Sequence, residues 1–128
     1  MNWLSLLAVF VGGGLGSLSR YMVSKGILLT QYSARFPLAT LVANSIACIV
    51  MGFVVYFTLR EKALSEGWKL FWLVGFCGGF STFSTFSYEN WVLYKEGYFI
   101  TMLLNVLVSV GICFAIFLIA GKYLIEAK

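Results

Sequence analysis

The chain is 128 residues long, with 61% apolar residues, 11% charged residues and a formal net charge of +4. A soluble globular protein needs more polar surface than these residues supply, so the composition indicates an integral membrane protein. The chain has no His and no Asp, which removes the groups that acid–base and metal catalysis most often use. We therefore expect neither enzymatic activity nor a nucleic-acid partner.

Four segments are long and apolar enough to cross a bilayer, which takes about 20 residues of helix. They cover residues 3–24, 38–59, 70–94 and 99–121. The first has no basic residue before its apolar run and no clear small-residue cleavage pattern, so we interpret it as a span and not as a signal peptide. The connections are short, and the sequence predicts a single all-α membrane domain over residues 1–128.

The basic residues are nearly balanced between the two sides of the membrane. With four spans, both termini and the middle loop share one side, and the other two loops face the opposite side. The first side carries five basic residues and the second carries three, or four if Arg20 reaches it: Arg60, Lys62, Lys69, Lys122 and Lys128 against Lys25, Arg35 and Lys95. Because the asymmetry of Lys and Arg orients membrane proteins, a near tie favours insertion in both directions. Two opposed copies could then form an antiparallel homodimer that encloses a path through the bilayer.

The first span has a face of small residues. Gly12 and Gly16 have the GxxxG spacing, which lets another helix approach closely. Arg20 follows one turn later on the same face. Its side chain either extends to the lipid headgroups or contributes to a path for anions, and both interpretations stay open.

The second span carries polar residues at successive four-residue steps, Thr40, Asn44 and Cys48, which places them on one helical face. Asn44 is the most informative of them, because an amide inside the membrane must find a hydrogen-bonding partner. It could join two helices, or its NH2 group could donate to a small anion in a pore. The sequence leaves both roles open.

The third span contains the run GGFSTFSTFS at residues 78–87, which predicts an interruption of the helix near residues 78–81. Irregular backbone at membrane depth is tolerated only where protein buries it or where it lines a cavity. The half-helix that ends there would expose carbonyl groups, and such ends bind monovalent cations in discontinuous transporter helices. The main-chain oxygens of Gly78 and Ser81 are therefore candidate ligands for a structural cation.

Phe83 and Phe86 are three residues apart and lie on one face of the helix that follows. The positive edge of an aromatic ring can solvate an anion, although phenylalanines at this spacing also occur as ordinary core residues. The hydroxyl groups beside them belong to Ser81, Thr82, Ser84 and Thr85. Glu89 is the one carboxylate clearly within a span; it could cap a vestibule, pair with Arg20 or lie in the interface.

The fourth span repeats the pattern of the second, with Thr101, Asn105, Ser109 and Cys113 at four-residue steps. These residues form a second polar stripe, which could share a path with Asn44 and the Phe, Ser and Thr run. The three cysteines lie in apolar segments without metal-ligand spacing, and we expect them to be small buried hydrophobes: Cys48, Cys77 and Cys113.

At these residues the chain resembles a known family, the small Fluc (CrcB) fluoride channels. Their third helix carries a GG, hydrophobic, [ST]TFSTFS run, which is matched here by Gly75, Gly78, Gly79, Ser81, Thr82, Phe83, Ser84, Thr85, Phe86, Ser87 and Glu89. Arg20 followed by Tyr21 is similar to the first helix of the family. The second-helix motif is matched by Pro37, Thr40, Leu41, Val42 and Asn44. The likeness covers essentially the whole chain.

The resemblance implies a channel of the cell inner (plasma) membrane that passively exports fluoride from the cytoplasm. It implies an antiparallel homodimer with two pathways lined by Asn44, Phe83 and Phe86. It also implies a central sodium ion bound by the carbonyls of Gly78 and Ser81 from both subunits. Secondary pathway candidates are Thr40, Ser84, Thr85, Glu89, Ser109, Asn105 and Arg20. Asn105 and Cys113 depart from the family, which often has tyrosine or histidine at the first position and serine at the second.

Two alternatives to a channel remain. A small multidrug-resistance-type transporter also has four helices and dual topology, but it depends on a glutamate in the first helix, and the first span here has none. A structural membrane subunit would use its polar stripes only to join helices.

Overall fold

The computed structural model describes residues 2–61 and 64–126, and this part of the chain is helical without strands. The elements are α1 (Trp3–Leu29), α2 (Leu38–Glu61), α3 (Glu66–Lys69), a π-helix (Leu70–Cys77), α4 (Gly78–Phe80), α5 (Phe83–Lys95) and α6 (Phe99–Glu126). Together they make four spans long and apolar enough to cross a membrane, with α3 to α5 forming the third. The predicted all-α membrane fold is confirmed. Two of the basic residues counted for topology, Lys62 and Lys128, lie outside the described residues.

The turn between α5 and α6 is closed by main-chain hydrogen bonds around a glycine. The N–H of Gly97 donates to Tyr94 and the N–H of Tyr98 donates to Leu93, at 3.0 Å and 2.8 Å. This pairing ends a helix when the residue after its cap has a positive φ, which Gly97 supplies at 83°. The Arg35 guanidinium lies 4.0 Å from the Tyr98 ring centre. The loop after α1 therefore sits on the same side as this turn, as a four-span topology requires.

The first and third spans pack backbone against backbone through glycines. A Cβ atom added to Gly12 or Gly16 would collide with main-chain atoms of the π-helix, and one added to Gly79 would collide with Gly13. Gly75 likewise meets the backbone of α1. The close approach expected of the Gly12 to Gly16 face is thus used within the chain, against a second GxxxG pair, Gly75 and Gly79.

The second span lies against the part of the third span that precedes the interruption. Ala43 and Ala47 of α2 are buried against Phe80, the last helical residue before the interruption. Small side chains at these two positions let α2 come close to the interruption. Asn44 follows Ala43 on the same helix, and its side chain reaches the break.

Candidate functional site

The helix of the third span is interrupted at Ser81 and Thr82. Ser81 has φ −76° and ψ 156°, and Thr82 has φ −152° and ψ 115°, which are extended conformations between Phe80 and Phe83. The predicted break is therefore present, and the preceding helix continues through Phe80 before it stops.

Asn44 binds the interrupted backbone directly. Its Oδ1 atom accepts a hydrogen bond of 2.9 Å from the N–H of Thr82. In a continuous helix that N–H would donate to the carbonyl of Gly78, four residues earlier. Because a backbone N–H can only donate, the amide oxygen of Asn44 must face it. The NH2 group of Asn44 is then turned the other way.

Hydroxyl groups hydrogen-bond to the backbone on both sides of the break. The Ser81 N–H and hydroxyl both donate to the carbonyl of Cys77, at 2.9 Å and 2.8 Å. Thr82 is the N-cap of α5, where its hydroxyl accepts from the N–H of Thr85 at 3.3 Å. The hydroxyl of Thr82 also lies 3.2 Å from those of Ser84 and Thr85, and the last two residues are exposed.

A groove of about 410 Å³ opens beside the break. Its lining combines four residues predicted for the pathway, Asn44, Phe83, Phe86 and Ser109, with Cys48, Ser81, Thr82, Val110, Cys113, Phe114 and Phe117. The ring centres of Phe83 and Phe86 are 6.1 Å apart, and Phe83 is 81% exposed. The polar faces of α2 and α6 thus meet at one groove, whose other walls are aromatic.

Glu89 is bound to the second span. Its Oε1 atom accepts a hydrogen bond of 2.6 Å from the hydroxyl of Thr40, which is buried. Its Oε2 atom is buried, and no residue of the described part of the chain hydrogen-bonds to it. Thr40, and not Arg20, is therefore the partner of Glu89. Thr40 and Glu89 do not line the groove.

A chain of buried side chains joins α6 to α5 behind the groove. The Ser109 hydroxyl donates to Asn105 Oδ1 at 3.2 Å, and Asn105 Nδ2 donates to Asn90 Oδ1 at 3.1 Å. Asn90 Nδ2 in turn donates to the carbonyl of Phe86 at 2.8 Å. Asn105 is only 1% exposed and does not line the groove. Its amide instead binds the side chain of Asn90, and Asn90 is the residue that bonds to the α5 backbone at Phe86.

The sequence profile described as "CrcB-like protein, Camphor Resistance (CrcB)" matches residues 7–121. The chain belongs to the CrcB family. Relatives named "Fluoride-specific ion channel FluC" include a protein of Pyrococcus abyssi, 43% identical over 126 residues, which are 95% of this chain and all of the relative. Those of Azobacteroides pseudotrichonymphae and Yersinia pestis are 42% identical over 105 residues and 39% identical over 123 residues. The alignments cover 82% and 93% of this chain and 83% and 95% of the relatives. The resemblance seen in the sequence is confirmed.

The break of this CrcB chain offers main-chain oxygens as possible cation ligands. The described residues contain no cluster of three His, Cys, Asp or Glu that could hold a metal. The N–H groups that would pair with the Gly78 and Ser81 carbonyls in a continuous helix belong to Thr82 and Thr85, and both donate to side chains instead. Hard carbonyl oxygens without their helical donors fit an alkali cation better than a transition metal.

Sequence reasoning missed several residues of this site in the CrcB chain. Thr82 was seen only as one of four hydroxyls, although its N–H is the partner of Asn44. Asn90 was not singled out, and Phe114 and Phe117 of the groove were not considered. An amide inside a span, one turn after Phe86, was a visible signal for Asn90. The two phenylalanines share their three-residue spacing with Phe83 and Phe86.

Proposed function

We propose that this chain is a fluoride-selective channel. The observation that carries the proposal is the orientation of Asn44, whose oxygen is held by the N–H of Thr82. Its NH2 group is left to donate into a groove walled by phenylalanine rings. The names of the relatives, which describe fluoride-specific channels, support the same ion.

Fluoride is small and strongly hydrated, so a selective path must replace its water with several close donors. The NH2 group of Asn44 supplies two N–H donors on one wall of the groove. The N-terminus of α5, a helix of 13 residues, begins at Phe83 beside the same groove and favours negative charge. The hydroxyl protons of Thr40 and Ser109 are already donated to Glu89 and Asn105, which leaves these two residues as weaker donors.

The phenylalanine rings would complete the coordination of the anion with weaker contacts. Ring edges carry partial positive charge, so Phe83 and Phe86 can face an anion without a formal charge that would trap it. Chloride is larger and would fit the same donors less well. Such a pathway needs no coupling to ATP or protons, and fluoride would leave the cytoplasm down its electrochemical gradient.

We further propose that two antiparallel copies assemble around the break. Phe83 is 81% exposed in the single chain, and Gly78, Ser84 and Thr85 beside it are exposed as well. Hydroxyl groups and the carbonyls of an open helix end are costly to leave against hydrocarbon, so another protein surface should cover them. A second copy inserted in the opposite direction supplies that cover and creates two equivalent pathways. The near balance of basic residues supports the antiparallel arrangement.

A sodium ion at the centre of this dimer is also part of the proposal. The Gly78 and Ser81 carbonyls of both copies would hold it, because their helical donors are used elsewhere. Bound there, the ion would neutralise the negative end of the first half-helix. Its role would be structural, since the anion is bound by Asn44 and the rings of the groove.

Fluoride efflux from liposomes that contain the purified protein tests the proposed function. A fluoride-selective electrode should record efflux that persists without a proton gradient and is much faster than chloride efflux. Cation exchange that depends on a proton gradient would indicate a small multidrug-type transporter instead. Neither activity would leave a structural subunit as the better interpretation.

A further inference from the structure

Two thiol groups line the groove, one on each of two neighbouring helices. Cys48 on α2 and Cys113 on α6 both line it, and the two thiols lie close enough to interact. Both are free and half-buried. Cys77, the third thiol, is fully buried and does not line the groove. The sequence alone suggested that all three were inert hydrophobes, but the fold makes two of them a pair.

The position of this pair relative to the anion donors is defined by helical spacing. Cys48 follows Asn44 by one turn of α2, and Cys113 follows Ser109 by one turn of α6. The thiols therefore flank the same cavity one turn further along it. A ligand held between them would lie beside the NH2 group of Asn44.

The chemistry of the pair selects the kind of ligand. Sulfur ligands prefer soft cations, and zinc would require about four protein ligands in a structural site. The described residues offer no third Cys, His, Asp or Glu to complete such a set here. Two thiols alone suit a soft ion that accepts two ligands in a line, such as Ag⁺ or Cu⁺.

We propose that Cys48 and Cys113 together bind one soft monovalent cation and that the bound ion blocks the groove to anions. Each thiol loses its proton to water as its sulfur–metal bond forms. Two neutral thiols and one cation of charge +1 thus give a complex of charge −1 and two released protons. That negative charge beside Asn44 repels an entering anion. The blocking step depends on the proposed fluoride pathway, whereas the binding step does not.

The binding step is tested by thiol alkylation of purified protein in detergent, read by mass spectrometry of its peptides. Silver nitrate in a chloride-free buffer is the probe, and a maleimide is the alkylating reagent. Ag⁺ at one equivalent per chain should protect Cys48 and Cys113 together. In Cys48→Ser the remaining Cys113 should lose protection, with at least about tenfold weaker Ag⁺ binding, because one of two ligands is gone. Protection of Cys113 that survives in Cys48→Ser would overturn the two-thiol site.

The blocking step is tested in liposomes, with each variant compared to its own flux before Ag⁺ is added. Wild-type fluoride efflux should fall by at least about tenfold as Ag⁺ saturates the site. Cys48→Ser and Cys113→Ser should both lose this inhibition, whereas Cys77→Ala, the matched control, should keep it. Inhibition that disappears only in Cys77→Ala, or Ag⁺ protection without inhibition, would overturn the block. If wild-type protein carries no fluoride at all, the proposed function fails, while the alkylation result still decides the metal site.

Discussion

The side-chain oxygen of Asn44 accepts a hydrogen bond from the main-chain N–H of Thr82, over 2.9 Å and across 38 positions of sequence. This one contact has two effects. It satisfies a backbone donor that the interrupted helix has released inside the membrane. It also fixes which end of the Asn44 amide faces the groove, so the stability of the break and the supply of anion donors depend on the same side chain.

Asn44→Asp should separate these two effects. The carboxylate can still accept from the Thr82 N–H, but it has no NH2 donors and adds a negative charge beside the groove. We expect fluoride flux to fall by on the order of 100-fold or more, which corresponds to about 3 kcal/mol of lost anion stabilisation. Electrode recordings on liposomes measure this. Wild-type flux in the variant would show that Asn44 is not an anion donor.

Asn44→Leu is the matched comparison, since it removes the acceptor as well. The Thr82 N–H then lacks its partner in a half-buried site, which should lower stability by about 1–3 kcal/mol. The unfolding temperature in detergent should therefore fall more in Asn44→Leu than in Asn44→Asp. Equal unfolding temperatures in wild type and Asn44→Leu would contradict the proposed link between Asn44 and the break.

Phe83→Ile and Phe86→Ile test the aromatic walls. Each substitution removes a ring edge while keeping an apolar side chain of similar bulk, so fluoride flux should fall strongly in both. Because Phe83 is 81% exposed in the single chain, its replacement should leave the packing of the chain itself unchanged. Size-exclusion chromatography should show the same assembly as wild type. Unchanged flux in both variants would argue against a role for the ring edges.

Gly16→Ala should disrupt the contact between the first and third spans. The added Cβ would collide with the carbonyl of Phe76, a backbone atom that cannot move aside alone. Overpacking of this kind costs about 1–3 kcal/mol. Gly14→Ala is the control, because a Cβ at Gly14 meets no atom within 4 Å. Thermal unfolding in detergent compares the two variants. An equal change of unfolding temperature in both would count against the glycine contact between the first and third spans.

Asn105→Leu tests the buried amide chain. It leaves Asn90 Oδ1 without its donor and Ser109 without its acceptor, which should destabilise the protein by about 1–3 kcal/mol. Flux per folded protein should fall less than in Asn44→Asp, because Asn105 lies behind the groove. A variant of wild-type stability with strongly reduced flux would instead place Asn105 in the pathway.

Antiparallel assembly is tested by the orientation of the chain. A membrane-impermeant label on a cysteine added before α1 should react from both sides of the membrane in roughly equal amounts, because the basic residues barely favour one orientation. The same label placed in the loop after α1 is the control and should also react from both sides. Labelling of each position from one side alone would remove the antiparallel dimer.

The features that could be predicted from sequence depend on local patterns. Span lengths follow from runs of apolar residues, and the break follows from a glycine pair before the Phe, Ser and Thr run. Four-residue spacing correctly places Asn44 and Ser109 on polar faces. That spacing does not tell which neighbour a face meets, so it could not distinguish the surroundings of Asn105 from those of Ser109. The structure turns Asn105 toward Asn90 while Ser109 also reaches the groove.

Other features could not be predicted because they arise from tertiary packing. The partner of Asn44 is a backbone group, and only the approach of α2 to the break identifies it. The π-helix at Leu70–Cys77 has no recognisable sequence pattern, and the sequence suggested a regular half-helix there. The glycine contact between the first and third spans could be predicted only in part. Sequence reasoning identified the GxxxG spacing of Gly12 and Gly16 but not the matching spacing of Gly75 and Gly79.

The glycine contact between α1 and the third span also has a mechanical consequence. Where two backbones touch directly, no side chain between them can change rotamer to absorb a displacement, so the two spans should move as one rigid body. The glycine contact reaches only the part of the third span before the break, so α2, α5 and α6 stand outside that body. Any fluctuation that widens or narrows the groove should therefore come from these three helices moving against a fixed frame.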